Sequence, residues 1–253
     1  MKVSDFLKML MKAYNSKTLY VMGGWGFPLT DSNKQRAYTN PYNNEPDRKE
    51  LIKKATPDTF GFDCCGMVRS VLWGWNGDTS AKNGGAVYGA NGVPEYDAKQ
   101  FMFQGCTEHS DDFTKIEPGE FLWMDGHCGV YLGNGLAIES TPKWKDGVQI
   151  TNVKNVCKEV YSSAYPSRTW TYHGHLKYVE YDTKYPACPF IAHNTLKGVL
   201  IRDIPYSDGK GIGYIILGSD VQIEAVEGSS GDYGKITGYV YLPGGFSHDN
   251  KPL

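Results

Sequence analysis

The segment Gly133-Asn134-Gly135 separates two apolar runs, Cys128–Leu132 and Leu136–Ser140, and it constrains the fold more than any other stretch of the chain. Gly and Asn tolerate the positive φ values of tight hairpin turns, so the flanking runs read as antiparallel strands. A third run, Phe121–Met124, follows Pro118-Gly119 and extends the pair into a meander. A hairpin pairs residues whose numbers sum to a nearly constant value. With the midpoint at residue 133, Glu139 is expected beside His127.

A sheet with an apolar face needs a cover, and two helical patterns supply one. Met67, Val68, Val71, Leu72 and Trp75 recur at helical intervals, with Asp63 placed as an N-cap. Cys64 then falls in the first turn. Val3, Phe6, Leu7, Leu10 and Met11 predict an amphipathic helix over residues 3–14 that packs on the core. Residues 28–58 are polar and carry Asn-Pro, Asn-Asn and Glu-Pro turn signals, so they are expected to form a long surface excursion. Residues 76–98, rich in Gly and Asn, are expected to be loop.

The pattern changes around residues 181–194, where Pro186 and Pro189 bracket Cys188 and apolar periodicity stops. This predicts a boundary, with one domain over 1–180, a linker over 181–194 and a second domain over 195–253. In the second domain Val199–Arg202, Tyr214–Leu217, Val221–Val226 and Lys235–Leu242 are short β-type runs between Gly, Asp and Ser turns, the pattern of a small all-β barrel. The fold class is therefore α+β followed by all-β.

Net charge is −2 and no Lys/Arg cluster is long enough to track a phosphate backbone, so nucleic acid is not an expected partner. No segment approaches the run of about 20 apolar residues that spans a membrane. Asp5, Lys8 and Lys12 interrupt the N-terminal apolar residues, so no signal peptide is read there. Six cysteines, at 64, 65, 106, 128, 157 and 188, lack both a disulfide framework and the short spacing of a structural zinc site. Neither a metal nor any other cofactor is expected.

A free thiol is only a few per cent thiolate at neutral pH and needs assistance to act as a nucleophile. At a helix start Cys64 gains about 0.3–1 kcal/mol from the dipole, which is less than one pKa unit. A histidine that takes the thiol proton must supply the rest. His127, flanked by Gly126 and Gly129 at the start of a strand, is the first candidate; His173 and His175, two apart on a strand, are the runners-up. Glu139 is placed to accept the other imidazole N–H and so to act as the third member of a triad, with Asp125 as an alternative.

Four stretches in order, Leu19-Tyr20-Val21-Met22-Gly23-Gly24, Gly61-Phe62-Asp63-Cys64-Cys65-Gly66, Pro118-Gly119-Glu120 and Gly126-His127-Cys128-Gly129-Val130-Tyr131-Leu132-Gly133, resemble the motifs of the NlpC-type cell-wall peptidases. The resemblance covers most of the first domain and implies a papain-like core. It selects Cys64 over Cys65 as nucleophile, because the family's cysteine follows Asp directly, and it puts Cys65 where a Ser is usual. It also places Tyr20, Asp63 and Cys65 at the substrate site. Glu139 departs from the His, Asn or Gln usual at the third position. The second domain, with Leu200-Ile201-Arg202, Pro205 and Gly238-Tyr239-Val240, resembles a bacterial SH3-like module, which implies binding to cell-wall peptides.

The resemblance implies a monomeric peptidoglycan hydrolase that cuts stem peptides, specifically the bond between D-glutamate and the diamino acid, through a thioester on Cys64. An N-acetylmuramoyl-L-alanine amidase would use the same residues. A wall-binding protein whose catalytic domain is inactive or transfers acyl groups is the reading of another class. Action at the wall without a leader resembles phage lytic enzymes released through a membrane pore; otherwise a leader precedes the sequence given.

Overall fold

The computed structural model describes residues 1–133, 135–156 and 165–181 with their side chains, and beyond them the backbone of eight strands between residues 190 and 252. The order is α1 (Val3–Asn15), β1 (Thr18–Tyr20), β2 (Trp25–Pro28), α2 (Asp31–Ala37), α3 (Pro46–Lys54), β3 (Phe60–Phe62) and α4 (Cys64–Leu72). Then come β4 (Phe121–Met124), β5 (His127–Gly133), β6 (Leu136–Thr141), β7 (Gly147–Val153), β8 (Ser167–Arg168) and β9 (Tyr172–Gly174). The general α+β class read from the sequence is the one observed.

The expected meander is the centre of a six-stranded sheet in the order β8-β7-β6-β5-β4-β9. A smaller sheet, β1-β3-β2, stands beside it, tied by the Ser140 hydroxyl, which donates to the Phe62 carbonyl at 3.0 Å. Helix α4 packs against both sheets and against α1, so Met67, Val68, Val71 and Leu72 are all buried with Phe6 and Leu10 of α1. Such all-round burial positions a helix start firmly. Gly66 is required here, because a Cβ would lie 1.8 Å from the Gly24 carbonyl oxygen. Trp73 and Trp75 close the far end of α4 and donate their indole N–H groups to Val93 at 2.8 Å and Gly26 at 3.0 Å.

Residues 28–58 lie largely at the surface, as expected, but they are ordered as helices rather than as an irregular excursion. They form α2 and α3, which cover a third apolar cluster of Val21, Phe27, Leu29, Ala37 and Ile52. Thr30 caps α2 through its side chain, and Pro46 opens α3 in the first turn, where its missing N–H is harmless. Polar contacts replace the missing apolar stripe. Buried Arg48 on α3 bonds the Asp146 carboxylate and the Tyr20 carbonyl, while Asn43 donates to Met22 and Ala37 carbonyls at 2.8 and 3.0 Å. Arg48→Ala would leave Asp146 and the Tyr20 carbonyl short of a donor. Removing one partner of a buried pair costs about 3 kcal/mol, so melting is expected about 6–12 °C lower, read by calorimetry.

The stretch expected as linker divides. Residues 182–189 lie outside the described residues, whereas Phe190–Asn194 forms strand β10. With it come β11 (Val199–Arg202), β12 (Gly211–Ile215), β13 (Asp220–Ile223), β14 (Ala225–Glu227), β15 (Tyr233–Lys235), β16 (Tyr239–Tyr241) and β17 (Phe246–Pro252). They pair as β13-β10-β17 and β12-β11-β16-β15-β14, two antiparallel sheets where the turn spacing predicts a small all-β barrel. Among the described residues no helix is long and apolar enough to cross a membrane.

Candidate active site

Strand β3 ends at Phe62 and α4 begins at Cys64, so the chain reverses at Asp63. The Asp63 carboxylate accepts from Gly66 N–H, as an N-cap should, and from Gly23 N–H at 2.8 Å. Burial, aided by Cys64, pushes the Asp63 carboxyl up to about 6. Both of its oxygens serve the backbone. Asp63, expected at the substrate, therefore acts from the wall of the cleft as the strut that fixes the start of α4 against the Gly23-Gly24 turn.

Cys64 is half-buried and opens onto a cleft of about 520 Å³ that Tyr20, Cys65, Arg69, Asp125 and Gly126 also line. The backbone N–H groups of Cys64 and Cys65 stand in the first turn, where a helix has no internal acceptors for them. They are available to an oxyanion. Neighbouring Cys128 and Cys65, joined by His127, hold the Cys64 thiol far below its ordinary range, and this outweighs burial. Tyr20 is buried, with its hydroxyl 3.8 Å from the Met22 sulfur, and burial and Cys64 raise its pKa.

His127 bonds Glu139 through Nε2 at 2.6 Å. The register differs from the expected one. Val130 faces Ile138 and Tyr131 faces Ala137, with a bulge at Gly133, so the next step outward sets Glu139 across from Gly129. His127 and Glu139 are thus diagonal neighbours on one face, and they meet because Gly129 between them has no side chain. Trp170 uses the same gap: its ring stacks on His127 with centroids 5.7 Å apart, and a Cβ on Gly129 would lie 3.0 Å from it.

Glu139 is fully buried and accepts from three further donors: Thr151 Oγ1 at 2.7 Å, Arg168 Nε at 2.9 Å and Arg168 Nη2 at 2.6 Å. Burial opposes its charge, but His127 and Arg168 overcome it and lower the pKa. Burial likewise opposes the His127 imidazolium, yet Cys64 and Glu139 raise its pKa above the ordinary value. These shifts favour the charged form of each group, so that Cys64, His127, Glu139 and Arg168 would alternate in sign. Such a line favours a nucleophile and a proton donor that are both ready at neutral pH. Asp125, the alternative orienter, is exposed at the cleft rim, whereas the carboxylate on His127 is that of Glu139.

Sequence reasoning did not find Arg168, Trp170, Thr151 or Cys128. Thr151 could have been found, because β6 pairs with β7 in uniform antiparallel register from Leu136 to Thr141. Arg168 and Trp170 follow a connection without periodicity and carry no comparable signal.

The runner-up histidines have other partners. His173 bonds Glu120 through Nδ1 and the Asp112 carbonyl through Nε2, and His175 lies 3.2 Å from Glu120 and 3.0 Å from Glu117. Burial opposes the Glu120 charge, but His173 and His175 hold it down at about 2. Burial also opposes the His173 charge, and the Glu120 bond outweighs it; His175 is raised chiefly by Glu120. The depressed carboxyl stabilises the fold above its ordinary 4.5 and loses that contribution as pH falls toward 2. The raised imidazoles contribute fully below their ordinary 6.5 and lose it as pH climbs through their folded values. Melting scans across pH should therefore show a Glu120-dependent maximum between about 4.5 and 6.5. Parallel curves for wild type and Glu120→Gln would contradict this.

No protein-family profile matches the chain, and no curated protein matches it. Among solved structures, the crystal structure of Ly7917 is 14% identical and aligns over 74% of this chain and 88% of its own, with a TM-score of 0.25.

Proposed function

We propose that the protein is a cysteine peptidase that cleaves stem peptides of bacterial peptidoglycan, with Cys64 as nucleophile, His127 as acid and base, and Glu139 as orienter. The observation that carries this reading is the Glu139–His127 bond at 2.6 Å, with His127 in turn acting on a Cys64 that stands at a helix start. The motif resemblance supplies the substrate class, and with it the papain-like assignment of residues 1–180 and the SH3-like, wall-binding assignment of residues 195–253.

In this mechanism the Cys64 thiolate attacks the scissile carbonyl carbon, and the oxyanion meets the N–H groups of the first turn of α4. The C–N bond breaks as His127 gives its proton to the leaving amine, leaving a thioester. Water then attacks the thioester while neutral His127 takes its proton, and the carboxylic acid departs as Cys64 returns to thiolate. Glu139 and Arg168 keep the imidazole in one tautomer throughout.

Mass analysis of purified peptidoglycan incubated with the protein tests the reading. Muropeptides cut between D-glutamate and the diamino acid are the expected products. Release of whole stem peptides from muramic acid would reassign the enzyme as an amidase, and ligated muropeptides would make it an acyl transferase. Unchanged muropeptides from folded protein would refute hydrolysis.

A further inference from the structure

Hydrolysis needs one sulfur, yet three meet at the floor of the cleft. Cys64 and Cys65 come from the first turn of α4, and Cys128 comes from β5. The Sγ atoms of Cys64 and Cys65 are 3.9 Å apart, those of Cys65 and Cys128 are 3.5 Å apart, and all three lie within 4.8 Å of one another. Among the described hydrogen bonds, the Cys65 and Cys128 sulfurs contact only other sulfurs. Thiols are weak hydrogen-bond groups, so this contact contributes little by itself.

The spacing fits a different purpose. A tetrahedral zinc-class cation about 2.3 Å from each sulfur sets neighbouring sulfurs about 3.8 Å apart, and the two measured separations bracket that value. Both supporting elements are fixed in the core, and the helix start favours negative charge on Cys64 and Cys65. The cleft admits a cation from the side of Cys64 and Cys65, while Cys128 is fully buried behind them. The set escapes a search for short cysteine spacing because its third member lies on a distant strand.

We propose that Cys64, Cys65 and Cys128 form a reversible site for one thiophilic d10 cation of the Zn²⁺ class, which holds the nucleophile inactive while bound. Three metal–sulfur bonds form, the Cys65 and Cys128 protons pass to solvent, and no electron is transferred. As a brake on hydrolysis the site rests on the proposed function. As a cation site it does not.

Titration of the reduced full chain with Cd²⁺, followed by thiolate-to-metal absorbance, tests it. One equivalent should saturate the band, Zn²⁺ should displace Cd²⁺, and EDTA should remove both. Cys65→Ala and Cys128→Ala should each weaken binding at least about tenfold, whereas Cys106→Ala should not. Should either cavity variant unfold, wild type still decides: bound Cd²⁺ should protect Cys64 from iodoacetamide, mapped by mass. The absence of a saturable band, a band unchanged in both variants, or undiminished Cys64 labelling under saturating Cd²⁺ would overturn the site. A chain that binds the cation but, once stripped of metal by EDTA and still folded, leaves peptidoglycan uncut would overturn the hydrolase reading and leave the site standing.

Discussion

Cys64→Ala is expected to lower peptidoglycan cleavage by about 10⁴-fold or more while leaving the melting temperature within a few degrees of wild type. The proposed nucleophile has no substitute: Cys65 points its sulfur toward Cys128, and burial with the neighbouring thiols raises Cys128 well above its ordinary range. Stability should hold because Cys64 is only half-buried and Asp63 carries out the capping that starts α4. Cys106→Ala is the matched control. That thiol is buried, is pushed up to about 12 by burial, and lies outside the cleft, so its removal should leave turnover near wild type. Iodoacetamide rates give a reading independent of substrate, with Cys64 expected to label far ahead of Cys106. Equal turnover of the Cys64→Ala and wild-type proteins would exclude thioester chemistry at this position.

Glu139→Gln tests the other end of the line and should affect both rate and stability. A neutral amide retains the volume but cannot balance the His127 imidazolium, and loss of an orienting carboxylate lowers kcat by about 10⁴ in triads of this logic. The same change leaves the Arg168 guanidinium buried without its counter-charge, at a cost of about 3 kcal/mol and a melting temperature about 6–12 °C lower. The two effects separate in the double variant. Adding Arg168→Met removes the unpaired charge, so stability should recover in part while kcat stays low. Recovery of kcat in step with stability would show that Glu139 matters for folding alone.

How much of this was legible before the structure depends on the kind of force involved. Helix α4 and the meander followed from apolar spacing, an N-cap and a turn, all of which are local, and they located Cys64 and His127. Helices α2 and α3 were missed because their hold on the core is polar: Arg48 reaches the Tyr20 carbonyl and the Asp146 carboxylate, and Asn43 the Met22 carbonyl, all distant in sequence. Periodicity does not register such contacts. The Glu139 pairing was found by a register two residues from the observed one, and the meeting still occurs because diagonal neighbours share a face. Arg168 enters from β8, whose parallel pairing with β7 no turn signal announces.

The unit formed by residues 1–181 is fastened end to end. Val3 N–H donates to the Glu180 carbonyl at 3.0 Å and Glu180 N–H to the Met1 carbonyl at 2.8 Å, so the segment before α1 runs alongside the one after β9. The path from residue 1 to residue 181 is nearly a ring. A short linker across that junction would close it with little loop entropy, and new ends could be opened in the turns between residues 76 and 92, which do not line the cleft. For this unit, the order in which the elements are synthesised is separable from where they stand in space, and the arrangement of Cys64, His127 and Glu139 should survive circular permutation.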